Sequence, residues 1–290
     1  MFRSCLLSAA LVATASFSSM AAEPPADGAV EAPYIQTSYL IAPRQVGDFV
    51  LAAANYDPAE KYAGAGFGYQ LPAQPQIKLD VYVYPAGRMA QAQAVSEGTT
   101  EFVASLRQAA KQGTFGDLQV VQQSEFALPP PSVASRPPQN AVDAAVIQAS
   151  AQAEQVTGQK LELELQYPGQ DTPMRSNGYL FYKQLHYFKV RASAPKGELS
   201  RERFNAVTDH AARTLVPALR AANVGSCAQF TFQVPQGANE VALATAVATQ
   251  LSQASALGCY GSADRAGIDA VRDSAQVIEI SYSADEWKSQ

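Results

Sequence analysis

Asn177-Gly-Tyr-Leu-Phe-Tyr-Lys-Gln-Leu-His-Tyr-Phe-Lys-Val-Arg-Ala-Ser-Ala-Pro195 is the stretch that decides the fold. No other segment of the chain holds so many aromatic residues with so few breakers. In its second half His186, Phe188, Val190 and Ala192 fall on one face, and Tyr187, Lys189, Arg191 and Ser193 on the other. A period of two is the mark of a half-buried strand. Tyr179–Lys183 is also strand-like, so the stretch reads as a hairpin in the middle of a sheet.

Flanking segments supply the rest of that sheet. Ile77–Tyr84 alternates, with Leu79, Val81 and Val83 against Asp80, Tyr82 and Tyr84. Lys160–Tyr167 puts Leu161, Leu163 and Leu165 inward and Glu162 and Glu164 outward. Asp117–Leu128 alternates more weakly, and Tyr34–Pro85 as a whole has a β pattern around the apolar run Phe49–Ala54. Three helices are expected here. Ala90–Gln112 carries the stripe Val95, Phe102, Leu106, with Gly113 as a C-cap. Val142–Val156 is a second helix. The third starts at the N-cap Ser200, buries Phe204, Ala211, Leu215 and Leu219, and ends near Pro217. Residues 129–138 are proline-rich and read as a semi-rigid spacer loop. These elements predict an α+β protein with a largely antiparallel sheet and helices packed on it.

The chain has 290 residues, 47% of them hydrophobic, enough to bury a core. Its formal net charge of −5 leaves no basic footprint for nucleic acid. Residues 1–22 read as a cleaved signal peptide: Arg3, then the apolar run Leu6–Phe17, then small residues ending at Ala22. Residues 23–33 read as a flexible mature N-terminus. The apolar run is short for a membrane span, and no later segment supplies one. The sequence therefore predicts a periplasmic or secreted protein without a transmembrane anchor. The main domain is expected over 34–222.

Residues 223–290 form a C-terminal strand–helix–strand unit in this reading. Phe230, Phe232 and Val234 alternate as a strand. Gly237–Leu257 is an alanine-rich helix, and Val277–Tyr282 a closing strand. Cys5 leaves with the leader, so Cys227 and Cys259 remain as a pair, and an oxidising compartment favours a disulfide over two free thiols. A helix packed back on its preceding strand returns its C-terminus to the strand's start. Some 20 helical residues span roughly 30 Å, which brings the two cysteines together.

Catalytic constellations are scarce. The chain has two histidines. His186 shares a face with Phe188 and Val190 and reads as a core residue. Asp209-His210 reads as a solvated pair on an amphipathic helix. There is no metal-ligand spacing, no nucleophile elbow around a serine, and no implied cofactor. Ser226 could act only with a distant histidine. Glu162 and Glu164 could serve as paired acids, but acids on an outer strand face more often keep a sheet soluble. The glycine run Gly64–Tyr69 lacks the helix a phosphate loop needs and reads as a loop or strand edge. What remains is a surface. Tyr187, Lys189 and Arg191 share a strand face, and Asp80, Tyr82 and Tyr84 join them if the two strands are neighbours. Such a face offers aromatic platforms and anion-pairing donors.

The order of elements from Ile77–Tyr84 through a helix to Gly178-Tyr179-Leu180-Phe181 and Tyr187-Phe188-Lys189-Val190-Arg191, followed by another helix, resembles the PsbP-like fold over roughly residues 47–222. The resemblance implies a central antiparallel sheet flanked by helices and a non-catalytic accessory role. It carries no functional residue across, and the proline-rich insert and the C-terminal unit depart from it. The combined expectation is an exported binding or accessory protein of the cell envelope, acting on an envelope protein or small ligand. The alternative is an envelope hydrolase using carboxylates or an unrecognised triad.

Overall fold

A computed structural model describes residues 33–130, 137–284 and 286–287. The expected leader and the middle of the proline-rich stretch lie outside these residues. The first strands are β1 (Thr37–Pro43), β2 (Gln45–Val46), β3 (Phe49–Tyr56), β4 (Ala65–Gln70) and β5 (Lys78–Pro85). Helix α1 (Gln91–Lys111) and strand β6 (Leu118–Ala127) follow. Then come α2 (Ala141–Glu154), β7 (Thr157–Leu165), β8 (Met174–Lys183), β9 (His186–Pro195) and α3 (Arg201–Ala218). The chain closes with β10 (Arg220–Val224), α4 (Glu240–Ala256), β11 (Cys259–Tyr260), the short α5 (Ile268–Val271) and β12 (Ala275–Ser281).

Eight strands form one antiparallel sheet in the order β2-β3-β4-β5-β9-β8-β7-β6. The expected hairpin is at its centre, with Phe181 opposite Phe188 and Tyr182 opposite Tyr187. Both faces of this hairpin are covered. On one face Leu161, Leu163, Leu180, Tyr182 and Tyr187 pack with Val95, Phe102 and Leu106 of α1. On the other, Tyr179, Phe181, Phe188 and Val190 pack with Phe204, Ala211 and Leu215 of α3. Double burial explains why Tyr179–Tyr182 of β8 is an unbroken apolar run. Ser200 caps α3 as expected, its hydroxyl accepting from the Arg203 N–H at 3.2 Å.

The hairpin turn is unusual in composition. Gln184 and Leu185 both take left-handed angles, φ 52° and 62°, a conformation that favours glycine or asparagine. Tertiary contacts hold it there. Leu185 is fully buried, the Gln184 N–H donates to Ala256 O, and Gln184 Oε1 accepts from the Ala221 N–H.

A second sheet has the order β11-β10-β1-β12. It corrects part of the C-terminal reading. Phe230–Val234 is not a strand: Phe230, Phe232 and Val234 are exposed outside both sheets. The strand that precedes the helix is β10, and β11 returns beside it in parallel, with Asn223 opposite Cys259. The cysteines do join, with Cα atoms 5.7 Å apart, so the expected bond forms around a different strand. The glycine run is also not a loop. It is β4, paired on both sides within the larger sheet, where Gly66 makes room for the Tyr82 ring.

Candidate functional site

The face expected to bind is assembled in register. Asp80 is opposite Arg191, Tyr82 opposite Lys189, and Tyr84 opposite Tyr187 across β5 and β9. It is not open, however. Helix α1 comes down on it at Gly98, where a side chain would collide with the Tyr187 ring, and Phe102 sits on Gly178 of β8 in the same way. Tyr187 is 6% exposed and its hydroxyl donates to Ala94 O at 3.0 Å. Lys189 Nζ lies 5.1–5.3 Å from the ring centres of Tyr82, Tyr84 and Phe102. Burial, then the nearby Arg191, pushes its ammonium pKa down. Burial likewise pushes the Tyr82 and Tyr84 hydroxyls up. Asp80 and Arg191 are half-buried at the far end, where Asp80 meets Lys78 at 3.6 Å. Most of this face is therefore the seat of α1 rather than a free surface. The sequence pattern could not register the small residues that let the helix descend.

The opposite face also departs from expectation. Glu162 and Glu164 point at α3, not at solvent. Glu162 is 8% exposed, with Lys160 at 3.3 Å, Arg201 at 3.4 Å and an Asn205 amide donating at 2.9 Å. Glu164 pairs with Arg201 and with Lys196, and the Lys196 bond does most to hold its carboxyl below the usual range. Asp209 is no solvated partner of His210. It accepts the Tyr179 hydroxyl at 2.6 Å and meets Lys160 at 2.8 Å. Asn177 closes the network, donating to Asn205 and Thr208 at 2.8 Å. These acids are spent on docking α3. His210 is exposed beside the Phe49 ring, and His186 is fully buried as expected.

One concavity among the described residues is not singled out by the sequence. A groove of about 900 Å³ runs between α1, the end of α2 and the β6–β7 floor. That volume is in the range of small-molecule sites. The wall from α1 presents Ser96, Thr100, Val103 and Ala104; the floor presents Gln123, Gly158 and Gln159; Gln152 and Gln155 close the far side. The amides are already oriented. Gln91 Nε2 donates to Gln155 O at 3.3 Å, Gln155 Nε2 to Leu128 O at 3.1 Å, and Gln123 Nε2 to Gln159 Oε1 at 3.2 Å. The last pair uses one end of each amide, and the Gln159 NH2 and Gln123 carbonyl have no protein partner among the described residues. Arg107 and Glu125 are the charged residues of the lining. Among the described residues, no aromatic ring and no histidine, cysteine or serine–histidine pair lines it.

No known protein family matches the chain, and no curated protein does. A solved structure of PA94 from Pseudomonas aeruginosa, a protein of unknown function, is similar at a TM-score of 0.30 and 10% identity. The match covers 57% of this chain and 83% of that one.

One signal in the sequence did point to the groove. The polar side of α1 carries Ser96 and Thr100 where a helix facing only water more often carries lysine and glutamate. The cluster Gln152, Gln155, Gln159 is a second such signal. Neither has a motif's spacing, so only the fold brings them together.

No cluster of three or more metal-ligating side chains occurs among the described residues. No described helix is long and apolar enough to cross a membrane.

Proposed function

We propose that this chain is an exported, non-catalytic binding or accessory protein of the cell envelope, and that its ligand site is the groove between α1, α2 and the β6–β7 floor. The observation that carries the reading is the lining: pre-oriented glutamine amides and threonine and serine hydroxyls beside the apolar side chains of Val95 and Val103. Such a surface recognises an uncharged ligand rich in hydrogen-bond donors and acceptors, because each amide offers both polarities. A non-catalytic role is supported by where the paired acids of β7 and α3 lie, which leaves Glu125 as the one carboxylate in the groove lining. Glu162, Glu164 and Asp209 are bound to Lys160, Lys196 and Arg201, on the sheet face away from the groove. Export is supported by the leader pattern of residues 1–22 and by the Cys227–Cys259 bond, which suits an oxidising compartment.

The test is a titration followed by NMR on the side-chain amides of Gln91, Gln123, Gln152, Gln155 and Gln159. Neutral oligosaccharides and neutral short peptides are the probes. Binding in the groove shifts these amides together and is abolished by Ala104→Trp, which fills the space. A probe that binds while leaving all five amides unmoved would place the site elsewhere.

A further inference from the structure

Nine large hydrophobic residues are exposed among those described, and six of them fall between Phe230 and Leu251: Phe230, Phe232, Val234, Val241, Leu243 and Leu251. So much exposed apolar surface in one segment is more than scattered surface apolarity and points to an interaction region. From Ala228 to Leu257 the one charged residue is Glu240. The Cys227–Cys259 bond closes the base of this excursion, and within it α4 packs against α2.

Gln229–Pro235 runs along α4 without a turn or bend. Gln250 of α4 clamps it: the Gln233 N–H donates to Gln250 Oε1 and Gln250 Nε2 donates to Gln233 O, both at 2.8 Å. One side-chain amide thus takes the place of a neighbouring strand. In an extended chain successive backbone groups point to opposite sides. With Gln233 turned toward α4, the groups of Phe230 and Phe232 turn away from it. They meet no backbone or side-chain partner among the described residues. The Phe230 and Phe232 rings pack on one another at 4.9 Å, both exposed. The segment is a strand by pattern that lacks a sheet.

Its sequence says what completes it. Gln229-Phe230-Thr231-Phe232-Gln233 reads the same in both directions. Two copies placed antiparallel about a two-fold axis at Thr231 set Thr231 against the partner's Thr231, Phe230 against the partner's Phe232, and Gln229 against the partner's Gln233. Aromatic–aromatic and Thr–Thr pairs are among the stabilising cross-strand pairs. In this register the bonds are exchanged by Phe230 and the partner's Phe232, the very residues whose backbone groups the Gln250 clamp leaves facing outward. A lipid surface fits less well. Unpaired backbone groups cost several kcal/mol each in hydrocarbon, and no lysine or arginine lies in the segment to meet headgroups.

We propose that Gln229–Gln233 is the core of an isologous homodimer interface, a two-stranded antiparallel ribbon joining two copies of this chain and flanked by the apolar residues of α4. Sedimentation velocity on the mature chain should show a monomer–dimer equilibrium. Phe232→Lys should weaken dimerisation by about tenfold or more, as for a central aromatic anchor, with an unchanged circular dichroism spectrum. Thr231→Cys should cross-link into a disulfide dimer under mild oxidation, because residues on the axis bring their Cβ atoms within bonding range. Peptide mapping should find the Cys227–Cys259 bond intact, and Gln236→Cys, outside the ribbon, should still dimerise but form no covalent cross-link. A wild-type chain that remains monomeric at every concentration would overturn the proposal. So would open-ended aggregates in place of a dimer, a dimer indifferent to Phe232→Lys, a Thr231→Cys variant that does not cross-link, or a monomer captured by phosphatidylcholine vesicles.

Discussion

Gly98 of α1 rests on the ring of Tyr187: a Cβ built on Gly98 would lie 2.5 Å from Tyr187 Cε1 and 2.8 Å from Leu180 Cδ2. This contact decides which side of the central hairpin is free. Alanine at an exposed helix position gains about 1 kcal/mol over glycine. Here overpacking should outweigh that gain, so Gly98→Ala should destabilise by about 1–3 kcal/mol. Urea unfolding measures it. A neutral or stabilised variant would mean that α1 is not seated on β9.

The network under α3 makes a sharper prediction because it is charged and buried. Lys160 is 6% exposed and neutralises both Glu162 and Asp209. Lys160→Met leaves Asp209 without its cation and Glu162 with Arg201 alone, and breaking a buried pair from one side costs about 3–5 kcal/mol. Tyr179→Phe removes one hydroxyl from Asp209 and Thr208 and should cost about 1–2 kcal/mol. The two losses share Asp209, so the double variant should fall short of their sum. Strict additivity would show that the bonds do not form one network.

His186 supplies a pH dependence. Burial holds its imidazole down to about 4 from an ordinary 6.5, against the smaller opposing effect of the Gln184 carbonyl. The unfolded chain therefore binds this proton more readily between those values. Stability from neutral His186 is complete above about pH 6.5 and is lost as the pH falls toward 4. At about 1.36 kcal/mol per unit the loss approaches about 3 kcal/mol. Denaturation across this window should show the slope in the wild type and a flatter profile in His186→Phe. Equal slopes would assign the effect to the carboxylates instead.

Lys183 marks the end of α3. Its ammonium donates to Val216 O at 2.7 Å and Leu219 O at 2.8 Å and lies 4.6 Å from the Phe188 ring centre. Burial, and to a lesser extent Arg220, pushes its pKa down to about 7. Lys183→Met keeps the packing but strands two buried carbonyls, at about 1–3 kcal/mol each. Hydrogen exchange should show the last turn of α3 opening first. An unchanged last turn would mean that water replaces the ammonium without loss.

The strands of the central sheet were legible because period two is a local signal, and β5, β7 and β9 all carry it. What was not legible depends on what lies above each face. Tyr187 and Glu162 both sit at alternating positions that read as outward, yet each faces a helix, because this sheet is covered on both sides. Phe230–Val234 shows the converse: the pattern of a strand is present, but no described strand pairs with it. The Gln184-Leu185 turn lacks glycine and asparagine, since Ala221 and Ala256 hold it from outside. The groove escaped notice for a similar reason. Its amides come from α1, α2, β6 and β7 and share no spacing.

The Cys227–Cys259 bond spans a sequence separation of 32, and its loss should act unevenly. In the chain-entropy picture a loop of this size contributes about 3–4 kcal/mol to global stability. The excursion it closes has few other ties to the sheets. The Gln184 N–H to Ala256 O and Asn223 N–H to Gly258 O bonds hold one end, and α2 holds the helix. In Cys227→Ser/Cys259→Ser, α4 should therefore open in sub-global steps, while β8 and β9 keep their protection until the whole chain unfolds. Hydrogen exchange resolved by residue separates these outcomes. Loss of protection confined to Glu240–Ala256 identifies the disulfide as the clasp of a semi-independent arm. An equal loss in β8 and β9 would show instead that the arm and the central sheet unfold as one.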